Sequence, residues 1–401
     1  MVGRRLCLQL KRIVKNKKFA ILFSLCNVFI LLLLTYFLNN QPLFTGEDLD
    51  QYAWMELLKE KMGFPKDVDA NDALFVNVAY DKQLVDKVDD YGMTIGNIDI
   101  TDRSKLLSFL QLLHKTDVYK YIILDIRFEK GYNVSGVDST LFAEILGMRN
   151  IVIANHSDIV LADDSLLKKA AISDYYATIT KTNFARYQFR CDNLESVPLY
   201  AYHDLTGKTI EKIGCFYVSN NKLCYNSLFV HFPIVKWDEF DEHQSKLYYN
   251  LGSDILENYS DDDLRTLTKD KYIIIGNMVE DVHDTYSGLK PGSVITYYSF
   301  QELMKGRHYV NWGMILFLAM LFFLISLSLF ETKSILRRLP FIKNSHSRLF
   351  HFLLDFVEYT LILTFSMIVL YIIFGIAISI VLPSAYFAIQ KSIIHYKRLK
   401  V

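Results

Sequence analysis

Hydrophobic positions along this chain follow two regimes. In the first, residues are apolar almost without interruption: Phe19–Leu38, Asn311–Phe330 and Tyr359–Ile389 carry no charged side chain. About twenty such residues in a helix cover the ~30 Å hydrocarbon thickness of a bilayer. The first two stretches are therefore predicted to span once each, with Trp312 where an interfacial aromatic belongs. The third is long for one helix and short for two. A single crossing stopped near Pro383 stands slightly ahead of a helical hairpin, which would bring Asp355 and Glu358 close to the headgroups.

In the second regime, residues 39–310, short apolar runs alternate with stretches of helical period. DLDQYAWMELLKEKMG spaces Tyr52, Met55, Leu57, Leu58 and Met62 as an amphipathic helix. After it, ALFVNVAY, YKYIILDI and IVIANH read as strands, and RSKLLSFLQLLHK and DSTLFAEILGM as the helices between them. Strands joined by single helices pair in parallel through right-handed crossovers, which predicts an α/β, three-layer, mostly parallel sheet. The middle, from about Asp174 to Tyr249, is richer in short β patterns, with a hairpin turning on Asn220-Asn221. SDDDLRTLTK follows as a helix capped by Ser260, then the strand KYIII and the helix VITYYSFQELMKG, stopped by Gly306.

The formal net charge is zero, yet cations are clustered. Seven precede Phe19: Arg4, Arg5, Lys11, Arg12, Lys15, Lys17 and Lys18. Five follow the second apolar run: Lys333, Arg337, Arg338, Lys343 and Arg348. Positive residues stay on the cytoplasmic side, so both clusters place residues 39–310 outside. Lys391, Lys397, Arg398 and Lys400 also prefer the cytoplasm, which a single third crossing would deny them. NNQPLFTG offers no small-residue cleavage site after the first run, so that run reads as an uncleaved signal anchor. The expected organisation is a basic N-terminus (1–18), an anchor (19–38), an extracytoplasmic domain (39–310), a second span (311–330), a basic loop (331–349), one span or a hairpin (350–390) and a basic tail (391–401). The basic segments flank apolar spans, so the bilayer explains them and nucleic acid is not an expected partner.

Cys191, Cys215 and Cys224 lie in the exported part. If the Asn220-Asn221 hairpin forms, Cys215 and Cys224 are diagonal neighbours, and their bridging is left open. Neither HExxH, paired CxxC, GxGxxG, a P-loop nor Gly-x-Ser-x-Gly is present, so zinc-protease, nucleotide and serine-hydrolase readings gain no support, and neither cofactor nor metal is expected. The candidate chemistry is carboxylate and imidazole. Asp81 and Asp125 end predicted parallel strands, where open α/β sheets place their ligand crevice. Asp281 and His283 lie in the loop GNMVEDVHDTYSGLKPG. They can act as an acid–base or ligand pair, or simply tie loop to sheet, and the structural role weighs more.

The ending KDKYIIIGNMVEDVHDTYSGLKPGSVITYYSFQELMKGRHYV resembles the second type of CHASE domain (CHASE-two), a bacterial extracytoplasmic sensory domain, over roughly residues 45 to 330. Gly276, Asp281, His283, Thr285, Pro291, Gly292 and Gly306 match that family's closing pattern. Thr296 and Tyr297 stand where it usually has His and Ala, and its Asp-Gly-x-x-Arg element is not visible. VAYDKQLV with Asp81, and IILDIRF followed by Asp138, are looser matches. The resemblance implies a multi-pass protein of the bacterial inner membrane whose exported domain detects a small molecule or envelope condition. CHASE-two proteins commonly continue into a cyclase or kinase, whereas this sequence offers short basic segments. It is therefore expected to be no enzyme itself and to signal through a separate partner, possible self-association included; an envelope scaffold that senses nothing is the alternative.

Overall fold

The computed structural model describes residues 17–40, 48–63, 72–88, 91, 93–132, 134, 136–157, 159–174, 184, 186–191, 194–232, 248–330, 348–376 and 378–399. The basic clusters expected at Arg4–Lys15 and Lys333–Lys343 lie outside the described residues. The chain divides into two units, Thr45–Tyr309 and Met1–Phe44 with Val310–Val401.

The first unit is mixed α/β, built on six parallel strands: β1 (Ala73–Asn77), β2 (Tyr121–Asp125), β3 (Ile151–Asn155), β4 (Ala170–Ile172), β5 (Tyr249–Asn250) and β6 (Tyr272–Gly276), ordered β5-β1-β6-β2-β3-β4. Strand side chains alternate between faces. Leu74, Val76, Ile122, Leu124, Ile151, Ile153, Ile273 and Ile275 enter one core with Leu106, Phe109, Leu110 and Leu113 of helix α3 (Arg103–Thr116) and Leu141, Phe142 and Ile145 of α4 (Asp138–Gly147). Each of these fully buried side chains contributes about 1.5–3 kcal/mol. On the opposite face α5 (Val197–Thr206) packs against α7 (Gly292–Met304). There the Tyr297 ring lies 5.5 Å from Phe75, and the Tyr272 ring 5.2 Å from Phe300. Both faces are covered, so the strands are apolar runs rather than alternating ones.

Local chemistry sets the ends. Asp102 caps α3 by accepting from the amides of Ser104 and Lys105. Ser260 and Asp263 form a capping box at α6 (Asp261–Thr268), which packs beside α3. β1 stops at Asn77, three residues short of the sequence expectation. The buried Asn77 Oδ1 accepts from Ala79 N (3.1 Å) and Met278 N (3.0 Å), while its Nδ2 donates to Asn250 Oδ1 at 2.8 Å, joining the ends of β5, β1 and β6.

Three features differ from the sequence reading. The chain after Asp81 forms a hairpin, Lys82–Val88 with Thr94–Thr101, that apolar periodicity does not announce because its side chains are largely exposed. The loop carrying Asp281 and His283 is also a hairpin, Val282–Thr285 with Gly288–Pro291. The turn at Asn220 and Asn221 forms as expected, both residues at positive φ (48° and 60°). Cys215 nevertheless sits in the preceding Gly214-Cys215 turn, and Tyr217 stands opposite Cys224. Neither cysteine forms a disulfide, and burial pushes the Cys224 thiol up to about 12. The amphipathic helix appears as α2 (Asp48–Lys61), with Met55 buried.

The second unit consists of α1 (Lys17–Asn39), α8 (Trp312–Ser328), α9 (Arg348–Phe374) and α10 (Val381–Leu399). Two helical stretches, Lys18–Asn39 and Leu349–Phe374, are long and apolar enough to cross a membrane, and α8 is a shorter apolar helix. Phe19 and Phe23 meet Phe330, while Asn27 meets Ser326, so α1 and α8 run antiparallel. Asp355 faces Lys391 and Tyr359 faces Phe387, so α9 and α10 form a helical hairpin. The expected stop near Pro383 is thus corrected, since the first helix ends at Phe374; of the pair only Leu349–Phe374 is long and apolar enough to cross a membrane. Pro383 does not stop a helix; it sits in the first turn of α10, where its missing N–H costs nothing.

This unit exposes large apolar side chains and buries several polar ones among an apolar interior that includes Leu318, Phe322, Leu370 and Phe387. Phe29, Leu361 and Phe365 are each at least 60 % exposed, whereas Ser24, Asn27, Thr35, Ser326, Asp355 and Lys391 are buried. Asn27 bonds Ser326 Oγ (3.3 Å), Gln390 Oε1 (2.8 Å) and the Tyr386 hydroxyl (3.0 Å), joining three helices.

Candidate functional site

The carboxyl ends of the parallel strands open into a cleft of about 930 Å³. Asp125 ends β2, His156 follows β3, Asp174 follows β4, and Asn277, Glu280 and Asp281 follow β6. The hairpin Lys82–Val88 with Thr94–Thr101 supplies another wall through Lys82 and residues 98–101, and α7 contributes Gly292, Ile295 and Thr296.

The loop after β2 is held from below. Arg103, 1 % exposed, donates to the Arg127 carbonyl at 2.7 Å and stacks 4.4 Å over the Phe128 ring. Burial lowers its guanidinium to about 10, opposed by the charge of Asp138. Asp138 in turn accepts from the Val134 amide at 2.7 Å. The loop residues Arg127 and Glu129 that line the cleft are therefore set by a buried cation and a buried anion behind them.

Two histidine–carboxylate pairs face the cleft. His283 Nε2 lies 3.1 Å from Asp281 Oδ1, and His156 Nδ1 lies 3.2 Å from Asp174 Oδ1, whose other oxygen accepts from Ser157 N. Between them Asp125 is half-buried. Burial, with Asp281 adding a like charge, pushes its carboxyl from 3.8 up to about 7, against the opposing pull of His283 and Arg127. Tyr187, 2 % exposed, brings its hydroxyl beside Thr296 without closing a hydrogen bond of normal geometry; burial, then the Asp125 charge, holds that phenol above its usual range. Glu280 is engaged by Lys82 and Asn277, which hold it below the usual carboxylate range.

The structure thus brings together three of the four sequence candidates, Asp125, Asp281 and His283. Asp81 is elsewhere. It is buried, bonded to Lys105 Nζ at 2.7 Å and to the Gly252 amide at 2.9 Å, and it ties α3 to the turn at Leu251–Leu256. Several residues of the ending Gly276–Gly306 have structural duties. A Cβ on Gly276 would stand 2.9 Å from Ser293 Oγ, and one on Gly292 would stand 2.6 Å from Asp281 Oδ2. Thr285 closes its hairpin by donating to Gly288 O at 2.6 Å, Pro291 precedes the first turn of α7, and Gly306 takes φ +70° after its end.

His156, Asp174, Arg127 and Tyr187 escape the sequence reading. His156 follows a strand that was legible, so the rule that selected Asp125 also reaches it. Asp174 follows the three-residue β4, too short to announce itself.

Chemically, a carboxyl near neutrality can donate or accept a hydrogen bond around pH 7. Among the described residues no three His, Cys, Asp or Glu side chains gather as a metal-ligand set. Comparison with protein-family models, with curated proteins and with solved structures gives no match to this chain.

Proposed function

We propose that this chain is a membrane-bound sensory protein: its α/β unit binds a small molecule in the cleft, and its helices relay the cleft's occupancy to a separate protein. The observation that carries the reading is the cleft, a concave site with convergent polar groups at the carboxyl edge of a parallel sheet, where such folds bind ligands. Membrane placement is supported by two helices long and apolar enough to cross a bilayer and by the large apolar side chains, such as Phe29, Leu361 and Phe365, that the helical unit exposes. An extracytoplasmic α/β unit follows from the cation clusters that flank it in sequence. The CHASE-two-like ending from Gly276 to Gly306 favours sensing in a bacterial inner membrane over scaffolding. A ligand shifts the helices only if it prefers one arrangement of the α/β unit.

The test is mild-detergent purification of the full chain, followed by melting against a panel of small metabolites and identification of co-purifying proteins. At least one compound is expected to raise the melting temperature of the parent and not of Asp125→Asn. A stable protein complex with no small-molecule response would instead support a scaffold. Asp125 near neutrality beside Asp281 and His283 favours a second reading, acid–base hydrolysis in the same cleft. Turnover by the purified chain that vanishes in Asp125→Asn would establish it.

A further inference from the structure

Six of the residues lining the cleft are Asp or Glu, against two permanent cations, Lys82 and Arg127. Lys82 is already paired with Glu280. The cleft is therefore anionic, and its anions are spread out. Asp281 follows β6, Asp125 ends β2 and Asp174 follows β4, in the strand order β6-β2-β3-β4. Neighbouring strands lie about 4.8 Å apart, so three steps separate the Asp281 and Asp174 ends by roughly 14 Å. Ile98, Ile100 and Ile295 line the space as apolar wall. The buried Tyr187 hydroxyl, which makes no hydrogen bond of normal geometry, offers an acceptor to an N–H group.

Resting on the ligand-binding reading above, we propose that the cleft binds a linear polyamine, with ammonium groups at its two carboxylate ends and its methylene spacers against the isoleucines. A small divalent metal ion fits less well, because no three-ligand set exists among the described residues. A neutral sugar would leave the surplus negative charge uncompensated.

Binding strengthens as pH rises from 6 to 8. Asp125, raised to about 7 by burial and by the Asp281 charge against the pull of His283 and Arg127, loses its proton over this range, which favours a cation.

The experiment is calorimetry and thermal melting of the full-length chain in detergent with spermidine, putrescine, magnesium chloride and glucose. Spermidine is expected to bind and to raise the melting temperature. Putrescine, too short to reach both ends, is expected to bind at least ~10-fold more weakly, as are Asp125→Asn and Asp174→Asn toward spermidine. Glu129→Gln replaces either isostere if that one fails to fold. Asp261→Asn, on α6 outside the cleft, should bind as the parent does. The proposal is overturned if millimolar spermidine gives neither heat nor shift, if magnesium reproduces the shift at matched charge, or if the cleft variants bind like the parent. Binding of glucose or of an anion in place of spermidine would sink the polyamine class and leave the sensory reading standing.

Discussion

Ionising Asp125 should weaken the fold. Burial first and Asp281 second raise its carboxyl from 3.8 to about 7 in the folded protein. The folded state therefore keeps this proton to higher pH than the unfolded chain does. Between roughly pH 4 and 7 the folded state binds more protons, and stability falls as pH rises. The loss begins near the unfolded value and is complete above about 7. A rise of about 3 units at 1.36 kcal/mol each sets a ceiling of ~4 kcal/mol. Because the side chain is only half-buried, solvent screening brings the working expectation to about 2 kcal/mol. Asp125→Asn removes the charge and keeps the shape. It should be about 2 kcal/mol more stable than the parent at pH 8 and indistinguishable from it at pH 4. Chemical denaturation of the detergent-purified chain, followed by near-ultraviolet circular dichroism of its packed tyrosines, reads the difference. If the Asn variant is weaker than the parent at pH 8, Asp125 is ionised and satisfied in the fold, and the reasoning fails.

Asp81→Ala is expected to cost about 1–3 kcal/mol, since the Gly252 amide loses its acceptor, with the cleft's ligand response intact; an unchanged melting temperature would refute that role. Gly292→Ala drives a Cβ to 2.6 Å from Asp281 Oδ2 and 3.2 Å from His283 Nε2, so ligand affinity should fall more than stability, as calorimetry beside melting would show. Glu302, 1 % exposed, lies 3.2 Å from His231 and 2.9 Å from Arg307. Burial alone would raise its carboxyl, yet those two partners hold it below 4.5. The stability it contributes is present above 4.5 and lost as pH falls through the depressed folded value, and Glu302→Gln should cost about 3–5 kcal/mol at pH 7 in a denaturation experiment. Reporter fusions at Asp164 and Arg338 should report opposite compartments, and equal signals would overturn the membrane topology.

The parallel sheet is legible because β1, β2, β3 and β6 are buried on both faces and must be apolar runs, and the helices that precede β2 and β6 have caps written in Asp102 and Ser260. The hairpin after Asp81 is not legible: Leu84, Met93 and Ile95 remain exposed, so no buried stripe imposes a period of two. In the third apolar region length alone cannot tell one tilted helix from two. The turn near Gly375, which takes φ +65°, and the pairing of Lys391 with Asp355 decide for two. Asp81 and Asp125 look alike in sequence, each an acid ending an apolar run. What separates them is three-dimensional: Lys105 and Gly252 reach Asp81, while Asp125 opens onto the cleft.

The strand order has a consequence for biosynthesis. β6 lies between β1 and β2, yet it is the last of the six to leave the ribosome, almost 150 residues after β2 ends. Until Tyr272–Gly276 emerges, β1 and β2 each lack a central neighbour, and their apolar edges stand open to other chains. β2, β3 and β4 can pair with one another before then, but β1 has no strand joining it to them. Assembly must wait for long-range closure, with the slow kinetics such pairing brings. Any chain interrupted before Lys271 is thus a substrate for proteolysis or chaperones rather than a smaller folded domain.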